Sequence, residues 1–454
     1  MFDVAKMIKG SQMNLLCTFS TFSRHTFSPL FFVLLITIIG VERHFVECFS
    51  SLAFPRDTIH TSRIKINMNS KDESPGHKPM KIVIAGAGVI GTSTAYYLAK
   101  NHASEISSIT IVDPSGKIAP AASGKAGGFL ALDWNDYAPT GPLTRRSFDL
   151  HQEISDELGA DNIMYRRLTC ASISVHESRQ QRRPSGKKLE GLEWVGDSVK
   201  DGGELVTDVI GFRALGDEST IAQVHPKLLC DAMWDKVQQD KTIQTTLIKA
   251  KVVEALSSKE MDTLLGAQLS DGSTLEADAV LFACGPWTEY GNCMLGVKYH
   301  SAIIPTRPRI LNQSVFFDGF GDPEVYPRPD GTAYCTGFPD PAIRVTEAPG
   351  EEAVRREAIQ KIINAVRDAS GGVNGALGNE PELEQSCYLP MTPDGLPMMG
   401  PSGVMEGCFV AAGHGCWGIL LGPATGETMA SLMVTGLGTP YVNLSPFSPN
   451  RFTS

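Results

Sequence analysis

From Met80 onward, short apolar runs alternate with segments of helical spacing. Met80–Ala85 (MKIVIA) reads as a strand that stops at a glycine, Gly86. The residues that follow, through Lys100, place Gly91, Ala95 and Leu98 on one face at steps of four and three, which predicts a helix. A second strand, Ser108–Val112 (SITIV), ends in Asp113. Farther along, Ala250–Leu256 (AKVVEAL), Ala277–Gly285 (ADAVLFACG) and Cys408–Ala412 (CFVAA) are strand-like, and the last two run into glycine turns. Pro226 stands at a first helical position after His225 and opens a segment of helical character through Lys236. Tyr326 and Tyr334 flank Pro329-Asp330-Gly331, a turn between two strand-like runs, where aromatic side chains either line a pocket or pack a sheet. Strand, helix and strand in this order predict an α/β fold built on a parallel sheet.

The first 79 residues follow another pattern. Up to Val41 they carry Lys6, Lys9 and Arg24 against one acid, Asp3, with many Ser and Thr between, the profile of a plastid or mitochondrial import sequence. The apolar run Leu30–Val41 (LFFVLLITIIGV) is shorter than the roughly 20 residues a bilayer span needs, so no stable span is expected in the mature form. A signal-peptide core is the rival reading. Translation from Met68 or Met80 would instead leave a cytoplasmic protein without a leader. Asn69–Pro79 is polar and breaker-rich, a linker before the fold begins.

At 454 residues the chain has room for two domains with large cores. A net charge of -10 provides no basic surplus for nucleic acid. The basic stretch Arg179–Lys188 (RQQRRPSGKK) has a Pro-Ser-Gly centre and reads as a solvated loop. Ten cysteines are scattered without a CxxC pair, so neither a zinc site nor a redox disulfide motif is indicated.

The chemistry begins at Gly86-Ala87-Gly88-Val89-Ile90-Gly91. Gly86 permits the tight turn, Gly88 lets backbone approach a pyrophosphate, and Gly91 allows close packing of helix on strand. The helix start offers free N–H groups and the positive end of a dipole. Asp113 lies 22 residues beyond Gly91, near the spacing expected of a carboxylate that accepts from ribose hydroxyls. NAD and FAD both fit this fingerprint. Three later segments favour FAD. Pro120–Leu130 (PAASGKAGGFL) is dominated by small side chains and can let a planar cofactor lie against backbone. Gly285-Pro286-Trp287-Thr288 follows a buried strand, and Gly413-His414-Gly415-Cys416-Trp417-Gly418 joins a strand to an apolar helix whose dipole faces an electron-rich ring edge.

Taken in order, GAGVIG, ASGKAGG, ACGPWT, TPDGLPMMG and AAGHGCWGILLGPATG resemble the D-amino-acid-oxidase-like flavoproteins, which include glycine oxidase, sarcosine oxidase and D-amino-acid dehydrogenases. The stretch Ser123–Trp134 (SGKAGGFLALDW) is most similar to a subgroup from fungi and plants. The resemblance spans Met80 to Gly436. It implies a discontinuous FAD-binding domain of Rossmann type (80–128, 220–296 and 386–440) and a β-rich substrate domain (129–219 and 297–385). It also implies that Gly86, Gly88 and Gly91 hold the pyrophosphate and Asp113 the adenosine ribose. Ser123 and Gly124 would line the phosphate and flavin entry, and Val252 or Val253 would meet adenine through backbone. Gly285 and Trp287 would pack near the ribityl chain, with Gly413, His414, Gly418 and Ile419 against the flavin.

The implied reaction oxidises a C–N bond of an amine or amino acid, with oxygen or another electron acceptor restoring the cofactor. In glycine-oxidase-like relatives arginines hold the substrate carboxylate, and here Leu389 and Cys416 occupy those positions; Leu420 stands where sarcosine-oxidase-like relatives carry a lysine. Lys125, Arg307 and Arg309 are the remaining cationic candidates. His225 and His414 are candidate acid/base groups, although a turn histidine is more often satisfied by backbone. Cys387 lies five residues ahead of Thr392, the spacing of the cysteine that bonds flavin covalently in sarcosine-oxidase-like enzymes. Loss of the familiar anchors also suits a second function, a flavin-binding assembly or scaffold factor with a vestigial redox site.

Overall fold

A computed structural model describes residues 78–175, 192, 194–195, 209–258, 263–307, 312–319 and 321–453, all within one unit, Asp72–Ser454. The leader, the basic stretch Arg179–Lys188 and Arg309 lie outside the described residues.

Two sheets organise the fold. In chain order their strands are β1 (Met80–Ala85), β2 (Ile106–Asp113), β3 (Thr169–Val175), β4 (Val209–Gly216), β5 (Gln244–Lys249), β6 (Ala279–Phe282), β7 (Leu295–Pro305), β8 (Gln313–Asp318), β9 (Glu324–Pro327), β10 (Thr332–Gly337), β11 (Leu383–Met391), β12 (Met398–Pro401) and β13 (Cys408–Ala412). The first sheet has the order β12-β13-β6-β1-β2-β5, parallel except for the β12 edge. The second, β11-β7-β10-β9-β8-β3-β4, is mainly antiparallel, with one parallel pair between β8 and β3.

Alternation along the parallel strands fixes what covers each face. Ile82, Ile84, Ile109, Ile111 and Leu281 point into a core shared with four helices: α1 (Val89–His102), α2 (Gly141–Leu158), α3 (Pro226–Gln239) and, numbered after α4 (Arg356–Ala369) in the chain, α5 (Gly418–Thr435). Val83, Ala85, Val112 and Val280 point the other way, onto a small three-stranded sheet formed by Val252–Ser257, Leu264–Leu269 and Thr274–Glu276. The seven-stranded sheet is covered on its back by α4, through Ile359, Ile362, Ile363 and Val366. Among the described residues no helix is long and apolar enough to cross a membrane.

Two strands belong to chain regions far apart yet pair over the whole of β11 and most of β7. β7 and β11 are in register from Leu295↔Met391 to Ile303↔Leu383, across the expected boundaries near 296 and 386. β11 thus carries the chain from the seven-stranded sheet back to the parallel one.

Helix α5 contains a proline, Pro423, that donates no hydrogen bond to the carbonyl four residues earlier, Ile419. His151 on α2 supplies it: its Nε2 donates to the Ile419 oxygen at 2.9 Å. Ser147, also on α2, accepts from the Ala424 amide at 3.1 Å. Gly422 and Gly426 meanwhile let α5 lie against α1, because a Cβ at Gly426 would come within 2.5 Å of Ser93.

Candidate active site

The carboxyl ends of β1, β2, β6 and β13 open on one cavity of about 810 Å³. Such crevices at parallel-strand ends are the usual binding position in α/β sheets. Three glycine turns wall it. The first runs from β1 into α1, where Gly86, Gly88, Val89 and Ile90 line the space. Gly86 has φ +107, and a Cβ there would collide with the Ala283 carbonyl, so only glycine fits. The second follows β6, where Gly285 (φ +54) and Trp287 line the cavity and the indole Nε1 donates to the Glu347 carbonyl at 2.7 Å. The third follows β13: Gly413 (φ +84), His414, Cys416, Gly418 and Ile419 all reach the wall.

Polar groups are distributed to match. Asp113 ends β2 at the cavity, 5% exposed, and its carboxylate accepts from Ala87 N at 3.1 Å and from Ser115 N and Oγ at 2.9 and 2.6 Å. Those bonds fix one carboxylate beside the α1 entry. Ser123, in the single helical turn Ala122–Lys125, accepts from Val89 N at 2.9 Å and so caps α1 from outside its own sequence.

Several expected residues do not line the cavity. Gly91 instead lets α1 seat on β1, since a Cβ there would strike the Gly86 carbonyl. Gly124, Gly127 and Gly128 serve protein packing: their missing side chains make room for the Ala119 carbonyl, the Tyr326 and Tyr334 rings, and the Val224 carbonyl. Within that small-residue loop it is Ala121, Ala122, Ser123 and Ala126 that face the cavity. Of the adenine pair, Val252 is buried and lines the wall, whereas Val253 is 55% exposed and points away.

The chemical candidates separate just as clearly. His414 is buried, its Nε2 lies 3.1 Å from the Thr425 hydroxyl, and burial pulls its pKa down to about 3. It is a neutral turn residue at the cavity wall. His225 caps α3 by accepting from Leu228 N at 3.4 Å; burial and then the nearby Arg328 lower it to about 4, and it does not line the cavity. Lys125 is held by Glu352 and donates to the Ser386 carbonyl at 3.0 Å. Arg307 is exposed and remote from the cavity lining. Cys387 is buried off the lining, its thiol pushed up to about 12 by burial and then by Glu352. Leu389 and Cys416, by contrast, do line the wall, and Leu420 is in the core.

Two contributors were not visible in the sequence. The strap Arg344–Pro349 closes one side of the cavity, and His151 supports the α5 entry from 268 residues away. Neither carries a local motif.

FAD, a long dinucleotide with one anionic centre, fits what these residues offer. There are side-chain-free turns at Gly86 and Gly88, α1 amides for the pyrophosphate, a carboxylate at Asp113, and an elongated space ending at the α5 entry.

Comparison with known proteins agrees with this arrangement. The family model described as FAD dependent oxidoreductase (DAO) matches residues 81–432. A Schizosaccharomyces pombe protein, provisionally named an oxidoreductase, is 32% identical over 79% of this chain and 95% of its own. Glycine oxidase of Geobacillus kaustophilus is 24% identical over 82% of this chain and 96% of its own. The crystal structure of glycine oxidase from that organism superposes with a TM-score of 0.67 at 21% identity, covering 82% of this chain and 99% of the other. L-proline dehydrogenase from P. horikoshii gives a TM-score of 0.63 at 17% identity, over 83% and 98%. The chain belongs to the FAD-dependent oxidoreductase family that contains these amino-acid and amine oxidases and dehydrogenases, and FAD is its cofactor.

Proposed function

We propose that the protein oxidises the C–N bond of a small amine or amino acid. Bound FAD would supply the chemistry, accepting a hydride at flavin N5 from the carbon beside the nitrogen. The residues described above hold and orient. Gly86, Gly88 and the first α1 amides would hold the pyrophosphate, Asp113 the ribose, and Val252 the adenine, with Gly285 and Trp287 near the ribityl chain.

One observation carries the reading. The cavity end formed by Gly413, Cys416 and Ile419 is also lined by Leu389 and Pro390 of β11, so the parallel-sheet site adjoins the second sheet there. That junction is where a substrate would meet the flavin ring. Glycine oxidase and L-proline dehydrogenase, similar over almost their whole lengths, carry names that place an amine nitrogen in the substrate.

The absence of arginine at Leu389 and Cys416 favours a second reading, a flavin-holding assembly factor. Anaerobic mixing of the flavoprotein with an amine and amino-acid library separates the two. Bleaching of the flavin band by at least one member is expected, and readmitted air or a carrier then identifies the acceptor. A yellow protein that resists the entire library would support the assembly role instead.

A further inference from the structure

The front face of the seven-stranded sheet carries a chemistry that no familiar anchor explains. Register places Tyr299 of β7, Tyr334 of β10, Glu324 and Tyr326 of β9, and Phe316 of β8 on one side. Their alternates, Ala302, Val325, Cys335 and Val315, face α4. The front face is therefore aromatic, with a carboxylic acid set into it.

This face continues to the flavin turn through rings in contact. Trp417, next to Cys416, meets Trp134 edge-on at 6.3 Å between centroids. Trp134 lies 5.4 Å from Phe316, which meets Tyr326 at 5.6 Å. Tyr326 donates its hydroxyl to Glu324. Glu324, Tyr299 and Trp417 each retain accessible surface, although the cavity lining itself reaches only their neighbour Cys416. Cys416 is open to the cavity and lies close enough to Glu324 for the acid to oppose its ionisation.

Glu324 has another acid, Asp322, as its charged neighbour and forms no ion pair among the described residues; a cation beside this face, Arg328, stands farther along, over the Tyr334 ring at 5.7 Å. Lys125 is already engaged by Glu352. Ionised, this carboxyl is held only by the Tyr326 hydroxyl, so a ligand cation would offset the cost of its charge. Aromatic faces and a carboxylate together form a receptor for an organic cation, through ring quadrupoles and a charge-assisted hydrogen bond. A substrate carboxylate beside Glu324 would meet a group of its own sign.

We propose that Glu324, set beside the aromatic face of Trp417, Trp134 and Phe316, recognises the substrate ammonium, so that the protein selects amines without a carboxylate beside the reacting carbon. This rests on the amine-oxidation reading and names its substrate class. The state of the acid agrees: burial foremost, then Asp322, raises Glu324 to about 7 despite the Tyr326 hydrogen bond, so it ionises readily once a cation arrives.

The test uses the full-length flavoprotein, wild type and Glu324→Gln, with equal FAD content confirmed first. Cumylamine (2-phenylpropan-2-amine), whose ammonium keeps its N–H donors but whose nitrogen-bearing carbon has no hydrogen to give, is titrated calorimetrically. Wild type is expected to bind it about ten-fold or more tightly than Glu324→Gln, with Glu324→Asp retaining most of the affinity. Equal binding by wild type and Glu324→Gln would overturn the proposal. In parallel, anaerobic flavin reduction is compared for benzylamine and phenylglycine, which differ by one carboxylate. Faster reduction by benzylamine supports the proposal; faster reduction by phenylglycine overturns it while leaving amine oxidation intact. Reduction by neither, nor by any library amine, would remove the catalytic reading, and the calorimetric difference alone would then decide whether Glu324 binds cations.

Discussion

At the level of single residues, the site depends on where side chains are missing as much as on where they are present. Gly86 combines φ +107 with a Cβ direction blocked by the Ala283 carbonyl. Gly86→Ala is therefore expected to destabilise the protein by about 1–3 kcal/mol, from backbone strain alone, and to lower its FAD content. Thermal unfolding and the ratio of 450 nm to 280 nm absorbance measure the two effects; unchanged values would mean that the turn is not constrained as described. These glycines and Asp113 were legible in the sequence because their roles follow from a local strand-turn-helix pattern. The choice between Val252 and Val253 was not, since alternation shows that neighbours face opposite ways but not which way is inward. Glu324 stayed hidden for a related reason: its meaning comes from Trp417 and Cys416, some ninety residues later in the chain.

Among elements, α5 shows how a cofactor-facing helix is kept in place after its own hydrogen bonding is broken. Pro423 leaves the Ile419 carbonyl without its helical donor, and His151 supplies one from α2. His151→Phe should cost about 1–3 kcal/mol, the range for an acceptor left buried and unpaired. Pro423→Ala restores a backbone donor to Ile419, so the same His151 change should cost distinctly less in that background. Urea unfolding of the four proteins in the cycle gives the coupling, and additive costs would show that the two residues act separately. The sequence announced α5 and its glycine turn. It could not announce α2 as their support, because the pairing joins residues 268 positions apart. The long β7–β11 pairing was hidden for the same reason: each strand's pattern is local, whereas its partner is set by packing.

For the whole molecule, burial of titratable groups sets the response to acid. His151 and His225 are lowered to about 4 and His414 to about 3, each chiefly by burial, from an ordinary value of 6.5. Between pH 6.5 and those values the unfolded chain binds protons that the folded protein refuses, so their contribution is complete above 6.5 and is lost as pH falls. Glu324, raised to about 7, acts in the opposite sense: it favours the folded state at low pH and loses that contribution as pH rises through 7. These three histidines, with His300 lowered in the same sense, outweigh the one raised acid and predict a thermal midpoint lower at pH 4.5 than at pH 7; a midpoint that rises on acidification would contradict the burial described for them. Architecture at this scale was the most legible part. Four of the five separated motifs line one cavity, the fifth packs behind the Gly413 turn through Thr392, and a resemblance carried by all five could already be stated as a fold. The account as a whole turns on that convergence, and the direct measurement is the flavin content of the purified full-length protein. We predict absorbance bands near 370 and 450 nm (approximate values for a flavin cofactor) and close to one FAD per chain, released on acid denaturation because Cys387 lies off the cavity wall. A colourless protein that takes up no added FAD would contradict it.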